Sequence, residues 1–120
     1  MPSLNAHFDI ALTSELGNNR FLADGTHGAY LLGSVTPDIR IINKQSRVIT
    51  HFSDLDNRTV GQGVENMHIQ YPNAFNKADV SNAKQSFVAG YINHLVADET
   101  WITVIYEPYF SINFLFESIE

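Results

Sequence analysis

The chain has 120 residues and a formal net charge of −6, with 44% hydrophobic and 17% charged residues. This length predicts one domain with a modest hydrophobic core. The acidic balance argues against stable nucleic-acid binding, because a surface that holds phosphates needs clustered lysine and arginine side chains.

The chain contains no cysteine, so disulfide bonds, thiolate zinc fingers and cysteine nucleophiles are excluded. Any metal site must then use imidazole and carboxylate ligands. The N-terminal segment lacks the basic and apolar regions of a signal peptide, and no run is long and apolar enough for a transmembrane segment. The sequence as given therefore predicts a soluble, cytoplasmic protein, unless a leader has already been removed from it.

The apolar residues follow a helical period, and no segment shows the strict alternation of a strand. A first helix is expected over residues 3–16, and a second begins near residue 20 or 26 and ends at residue 33. Pro37 cannot continue that helix, so residues 34–38 are expected to form a loop. Residues 39–49 mix apolar and basic side chains and are predicted to be extended or irregular.

Later in the chain, a helix is predicted over about residues 64–71, followed by a loop. The longest helix is predicted to begin at residue 79 or 81 and to end near residue 106, before Pro108. Its central part, residues 87–101, is apolar on nearly every side and should be buried. The apolar segment 110–120 is expected either to pack on the core or to form a homodimer contact. The predicted fold is therefore an all-α domain around one long buried helix.

Inside that helix, His94 and Asp98 are four residues apart and therefore project from the same face. A charged carboxylate is costly to bury unless it is paired or bound to a metal ion. The pair is therefore either a hydrogen-bonded couple in the core or two ligands of one metal ion. By itself it is weak evidence for a metal, because His and Asp often occur four apart by chance.

Three other segments place a metal-binding atom in a loop or near a helix end. They contain His7 in the first helix, Asp38 in GSVTPD and His51 in ITHFSD. Each has a simpler explanation on its own, as a surface histidine, a turn residue and the neighbour of a helix cap. Together with the pair in the long helix, they give three histidines and two aspartates, which are suitable ligands for zinc.

The order of these motifs resembles the zinc-dependent phospholipase C family, helical metallohydrolases that are related to single-strand nucleases. In that family an early histidine is followed by a Gly-x-x-x-Pro-Asp loop, a Thr-His step and a helix with Gly-Tyr-x-x-His-x-x-x-Asp. The matching positions here are His7, residues 33–38 (GSVTPD), residues 50–51 (TH) and residues 90–98 (GYINHLVAD). The resemblance extends from His7 to Trp101, which is most of the chain.

The resemblance implies a cluster of one to three zinc ions, or other divalent metals. One ion would be held by four side chains, Asp38, His51, His94 and Asp98. A neighbouring ion would be held by His7 and bridged by Asp98. The implied activity is a phospholipase C-like hydrolase or phosphodiesterase, in which a metal-bound water attacks a small phosphoester or a phospholipid. Asp38 is then the candidate catalytic base.

The chain also departs from the family pattern. Larger members carry a further histidine and a His-x-x-x-Glu motif after the long helix, whereas no histidine follows His94 here. Residues 1–120 are therefore expected to form a single short domain that lacks the C-terminal part of the family. A histidine-aspartate phosphohydrolase is disfavoured, because the chain has no adjacent His-Asp dipeptide. The non-enzymatic alternative is a helical binding or assembly module with a structural or vestigial metal site.

Overall fold

The computed structural model describes residues 3–14, 25–54, 59–76 and 78–110. These residues are helical wherever they have regular structure, and none of them forms a strand, which confirms the predicted all-α class. The α-helices are α1 (Leu4–Thr13), α2 (His27–Val35), α3 (Arg40–Asn43), α4 (Arg47–His51), α5 (Gln62–Gln70), α6 (Asn82–Thr100) and α7 (Glu107–Phe110). Two 3-10 helices, Thr36–Ile39 and Pro72–Phe75, follow α2 and α5, and a π-helical segment, Trp101–Tyr106, continues α6.

Two of the helices begin at serine caps. The Ser3 hydroxyl accepts a hydrogen bond from the Ala6 amide at the start of α1, and the Ser81 hydroxyl accepts one from the Lys84 amide at the start of α6. Each cap satisfies an amide group that has no partner within its helix. The first and the longest helix therefore have defined starting points.

The segment between α2 and α5 is more helical than the sequence predicts. Residues 36–39 form a 3-10 helix rather than a loop, and Pro37 lies in its first turn, where a missing amide costs no hydrogen bond. The prediction for residues 39–49 is wrong, because α3 and α4 occupy most of this segment. Each of these helices spans only about one turn, which is too short for an apolar period to distinguish helix from strand.

The long helix ends as predicted, since its π-helical continuation reaches Tyr106. Pro108 then lies in the first turn of α7, where it is tolerated. The predicted end of the first helix lies outside the described residues, and so does most of the apolar segment 110–120 with its predicted core or homodimer contact. Among the described residues, no helix is both long and apolar enough to cross a membrane.

Helices α2 and α6 cross with their backbones in direct contact, and glycines make this possible. A Cβ atom placed on Gly33 would lie 2.0 Å from the Phe87 carbonyl oxygen, and one on Gly90 would lie 1.9 Å from the Tyr30 carbonyl oxygen. No side chain fits at these distances. The contact brings the C-terminal end of α2 against the middle of α6, close to His94.

Two small apolar clusters position the helices around this crossing. In the first, Ala11 of α1 packs on Tyr30 of α2, and the Tyr30 hydroxyl donates a 2.9 Å hydrogen bond to the Ala11 carbonyl oxygen. In the second, Met67 of α5 packs with Tyr91 and Leu95 of α6. The first cluster fixes the position of α1, and the second fixes α5 against α6.

The helix crossing predicts a large difference between two glycine substitutions. Gly90→Ala should destabilise the protein by about 1–3 kcal/mol or more, because the added methyl group overlaps backbone atoms that cannot move independently. Gly28→Ala is the matched control, since Gly28 also lies in a helix but has open space around its Cβ position. It should be neutral or stabilising by up to about 1 kcal/mol. Urea unfolding of both variants measures the difference, and equal stabilities would contradict the close crossing.

Candidate metal centre

Four side chains from three parts of the chain meet at one point. Asp38 belongs to the 3-10 helix after α2, His51 is the last residue of α4, and His94 and Asp98 lie on successive turns of α6. Each offers one metal-binding atom, and the four atoms lie within 4.8 Å of one another. The fold thus brings together four of the five side chains that the sequence predicts as ligands.

The distances between these atoms fit a single metal ion. His51 Nε2 lies 3.2 Å from His94 Nε2 and 3.1 Å from Asp98 Oδ2. Asp38 Oδ1 lies 3.4 Å from both imidazole nitrogens, and His94 Nε2 lies 3.4 Å from Asp98 Oδ2. Four atoms in a tetrahedron around zinc, at the usual bond lengths to nitrogen and oxygen, are about 3.3–3.4 Å apart. Five of the six distances between the four atoms therefore match those around a four-coordinate metal ion, and the sixth, between Asp38 and Asp98, is at most 4.8 Å.

The cluster is closed on all but one side. The side chains of His51, His94 and Asp98 are at most 1% exposed, whereas Asp38 is 17% exposed. A molecule approaching from solvent would therefore reach Asp38 first.

Both histidines of the cluster turn Nε2 inward because their outer nitrogens are hydrogen-bonded. His94 Nδ1 lies 2.6 Å from the Ser34 carbonyl oxygen, which can only accept, so Nδ1 carries a proton. His51 Nδ1 lies 3.0 Å from the Thr50 hydroxyl. In the neutral His94 ring, the Nε2 lone pair then faces the centre of the cluster. This is the arrangement of histidine ligands in metal sites, where the outer N–H is held by a carbonyl, carboxylate or water.

The cluster carries the negative charge that a divalent cation requires. Burial raises the pKa of Asp98, but hydrogen bonds from the three histidines around it hold that pKa well below its usual range. Burial likewise raises the pKa of Asp38, and its hydrogen bonds with His51 and His94 hold it below its usual range. Both carboxylates are therefore ionised at neutral pH.

His94 responds to the same charges in the opposite direction. Burial lowers its pKa, but the hydrogen bonds to Asp38 and Asp98, together with their negative charges, outweigh this effect and raise the pKa to about 9. In the metal-free protein the ring is therefore a cation that partly neutralises the two carboxylates.

Further contacts tie α4 and α5 to α6. The Tyr91 hydroxyl donates a hydrogen bond to the Thr50 carbonyl oxygen. The Glu99 carboxylate accepts hydrogen bonds of 3.1 Å from the backbone amides of Gln62 and Gly63, at the start of α5. A carboxylate at this position also interacts favourably with the helix dipole. These contacts fix α4 and α5 relative to His94.

His7 and Arg47 contact the cluster through Asp98. His7 Nε2 lies 3.1 Å from Asp98 Oδ1, and the His7 ring stacks on the ring of His94 with centroids 3.6 Å apart. Arg47 Nη2 lies 3.2 Å from Asp98 Oδ2. His7 is thus adjacent to the predicted centre, and its role as a metal ligand stays a prediction.

Two residues that contribute to this centre, Arg47 and Glu99, belong to none of the motifs in the sequence. A signal for Arg47 exists, because it precedes His51 by four residues and therefore shares a helical face with it. A spacing of four residues places two side chains on one face only in a helix, and the sequence predicts residues 39–49 to be extended or irregular. Glu99 gives no signal beyond its place next to Asp98, because its partners are backbone amides of a distant segment.

Comparison with models of protein families, with curated proteins and with solved structures finds no match to this chain. A function is therefore inferred from the geometry of the cluster and from the order of its motifs in the sequence.

The cluster predicts that His94→Ala and Asp98→Ala each lower bound zinc to a small fraction of the wild-type content. Both should also lower the melting temperature, because each removes a partner from the buried charged groups of the cluster. The control is His68→Ala, which removes an exposed histidine of α5. Elemental analysis after dialysis measures the metal, and thermal unfolding measures stability. Wild-type zinc content in both cluster variants would place the metal elsewhere.

The raised pKa of His94 predicts that zinc binding at pH 7 releases about one proton. The ring is protonated below a pKa of about 9, whereas a zinc ligand must be neutral, so metal and proton compete. The apparent zinc affinity should therefore rise about tenfold per pH unit between pH 7 and 8.5 and level off above pH 9. Calorimetry in buffers of different ionisation enthalpy counts the protons. An affinity that does not change over this range would contradict the prediction.

Proposed function

We propose that the chain is a zinc-dependent hydrolase of phosphoesters or phosphodiesters, similar to zinc-dependent phospholipase C. The observation that carries the proposal is the close approach of four candidate ligand atoms, one of which belongs to the partly exposed carboxylate of Asp38. The order of the motifs supports it as well. The four side chains that the resemblance assigns to one ion are the four that lie together in the fold.

A zinc ion held by His51, His94, Asp98 and Asp38 would polarise a phosphoryl oxygen and lower the pKa of a bound water towards about 7. Asp38 is the side chain that would take the proton from this water. It is ionised, it lies at the open side of the cluster, and its Oδ1 faces the two imidazoles, which leaves Oδ2 to accept the proton. As the water oxygen bonds to phosphorus, the bond to the leaving oxygen breaks. The proton on Asp38 can then pass to that leaving oxygen.

A structural role for the metal is the second candidate, and one observation favours it. Four protein ligands complete a tetrahedron, which is the arrangement of structural zinc sites, whereas catalytic sites keep one position open. Catalysis here would need either a fifth position on the side of Asp38 or movement of Asp38 itself. A structural ion would instead stabilise a helical binding or assembly module.

Activity on a chromogenic phosphodiester should distinguish the two candidates. If the chain is a hydrolase, the zinc-loaded protein should hydrolyse the phosphodiester. It should lose this activity when a chelator removes the zinc and recover it when zinc is restored. At zinc concentrations that saturate both proteins, Asp38→Asn should lower kcat by about 10²–10⁴-fold, because an amide cannot take the proton. The control is Asp9→Asn, which changes an exposed carboxylate on α1.

Zinc-loaded protein without activity on diesters, monoesters or phospholipids would support the structural role. Activity that is equal in Asp38→Asn and Asp9→Asn would remove Asp38 as the general base. Comparison of a phospholipid, a nucleotide diester and a small monoester would then identify the substrate class.

A further inference from the structure

The two oxygens of Asp98 have different surroundings. Oδ2 faces the cluster, where it lies 3.1 Å from His51 Nε2 and 3.4 Å from His94 Nε2. Oδ1 lies on the other side of the carboxylate, 3.1 Å from His7 Nε2. A second metal ion, bridged by Asp98, would have to bind between Oδ1 and His7.

His7 lacks the support that the other two histidines have. Its outer nitrogen, Nδ1, is buried and has no hydrogen-bond partner among the residues that the structure describes. If Nε2 bound a metal ion, the ring proton would lie on Nδ1, buried and without an acceptor. A proton on Nε2 is the more favourable arrangement, because Nε2–H donates to Asp98 Oδ1 and only an acceptor, on Nδ1, is left without a partner. In contrast, the outer nitrogen of His94 is hydrogen-bonded to the Ser34 carbonyl oxygen, and that of His51 to the Thr50 hydroxyl.

The charges around Asp98 also favour one ion. A single divalent cation balances the two negative charges of Asp38 and Asp98. Arg47 adds a positive charge 3.2 Å from Asp98 Oδ2, and its side chain is only 10% exposed. A second divalent cation would bring two more positive charges into this buried region, where uncompensated charge is strongly unfavourable.

We infer that the centre binds one metal ion, and that His7 is a positioning residue rather than a ligand of a second ion. This inference rests on the proposed metal-dependent function and departs from the resemblance, which implies a neighbouring ion on His7. His7 holds Asp98 in place by donating to Oδ1, and its ring stacks on His94. It thereby orients two ligands of the single ion.

Metal titration of the wild-type chain is the first test. Protein freed of metal by a chelator is titrated with zinc by calorimetry, and cobalt(II) is used in parallel because its visible spectrum reports a tetrahedral site. One ion per chain is expected, with the cobalt absorbance complete at one equivalent. Two tightly bound ions per chain would overturn the inference but leave the proposed function intact. A chain that binds no ion would refute both.

Two substitutions of His7 separate a positioning residue from a ligand. His7→Phe removes the donor and should keep one ion per chain with about 10–100-fold weaker affinity, the usual effect of losing a partner of a metal ligand. His7→Gln places an amide N–H near the position of Nε2–H, and it should recover most of that affinity although an amide nitrogen is not a zinc ligand. His27→Phe, at an exposed histidine of α2, is the matched control and should bind as the wild type does.

A ligand role predicts a different pattern. The wild type would then bind two ions, and both His7→Phe and His7→Gln would bind one, without any recovery by glutamine. If His7→Phe does not fold, His7→Gln still decides, because a change in stoichiometry from two to one contradicts the inference and an unchanged value of one supports it.

Discussion

The buried carboxylate of Asp98 is the interaction on which the rest of this structure depends. It is 1% exposed, and its two oxygens contact four positively charged or hydrogen-bonding side chains. These come from α1, α4 and α6, namely His7, Arg47, His51 and His94. A buried charge without such partners would be strongly unfavourable. The helices are therefore arranged so that each of these elements delivers a partner to the same point, and a metal ion would join them there.

The close crossing of α2 and α6 makes that arrangement possible. Because Gly33 and Gly90 allow the two backbones to touch, the Ser34 carbonyl oxygen reaches the outer nitrogen of His94. The hydrogen bond fixes which nitrogen of His94 faces the cluster. The 3-10 helix that follows α2 then delivers Asp38 to the open side. Backbone packing and ligand geometry are thus consequences of the same two glycines.

The cluster combines features of two kinds of metal site. Its three buried side chains and four candidate ligand atoms are typical of metal sites that stabilise a fold, whereas a partly exposed carboxylate is typical of a site that activates water. Asp38 is the residue on which the difference depends, because it is both the fourth ligand and the side chain nearest to solvent. Movement of this one side chain would convert a closed site into an open one.

The sequence by itself determined the helical class, and the four residues of the cluster are among the five ligands that it predicts. Helical periods are local properties, and the spacing of His94 and Asp98 places both on one face wherever the helix lies. Residues that matter through distant partners could not be predicted in this way. The conformation of residues 39–49 and the role of Arg47 depend on the packing of α4 near α6, and the burial of Glu99 depends on the start of α5.

The tertiary structure alone decided the geometry around the cluster. A sequence lists histidines without saying which nitrogen of each faces a metal, because that choice depends on a hydrogen bond to the outer nitrogen. For His94 this bond is made to Ser34, which lies 60 residues away in the chain. His7 differs from the two cluster histidines in the hydrogen bonding of its outer nitrogen. Its place in the motif order makes it a ligand by resemblance, whereas its unsupported outer nitrogen is visible only in the folded chain.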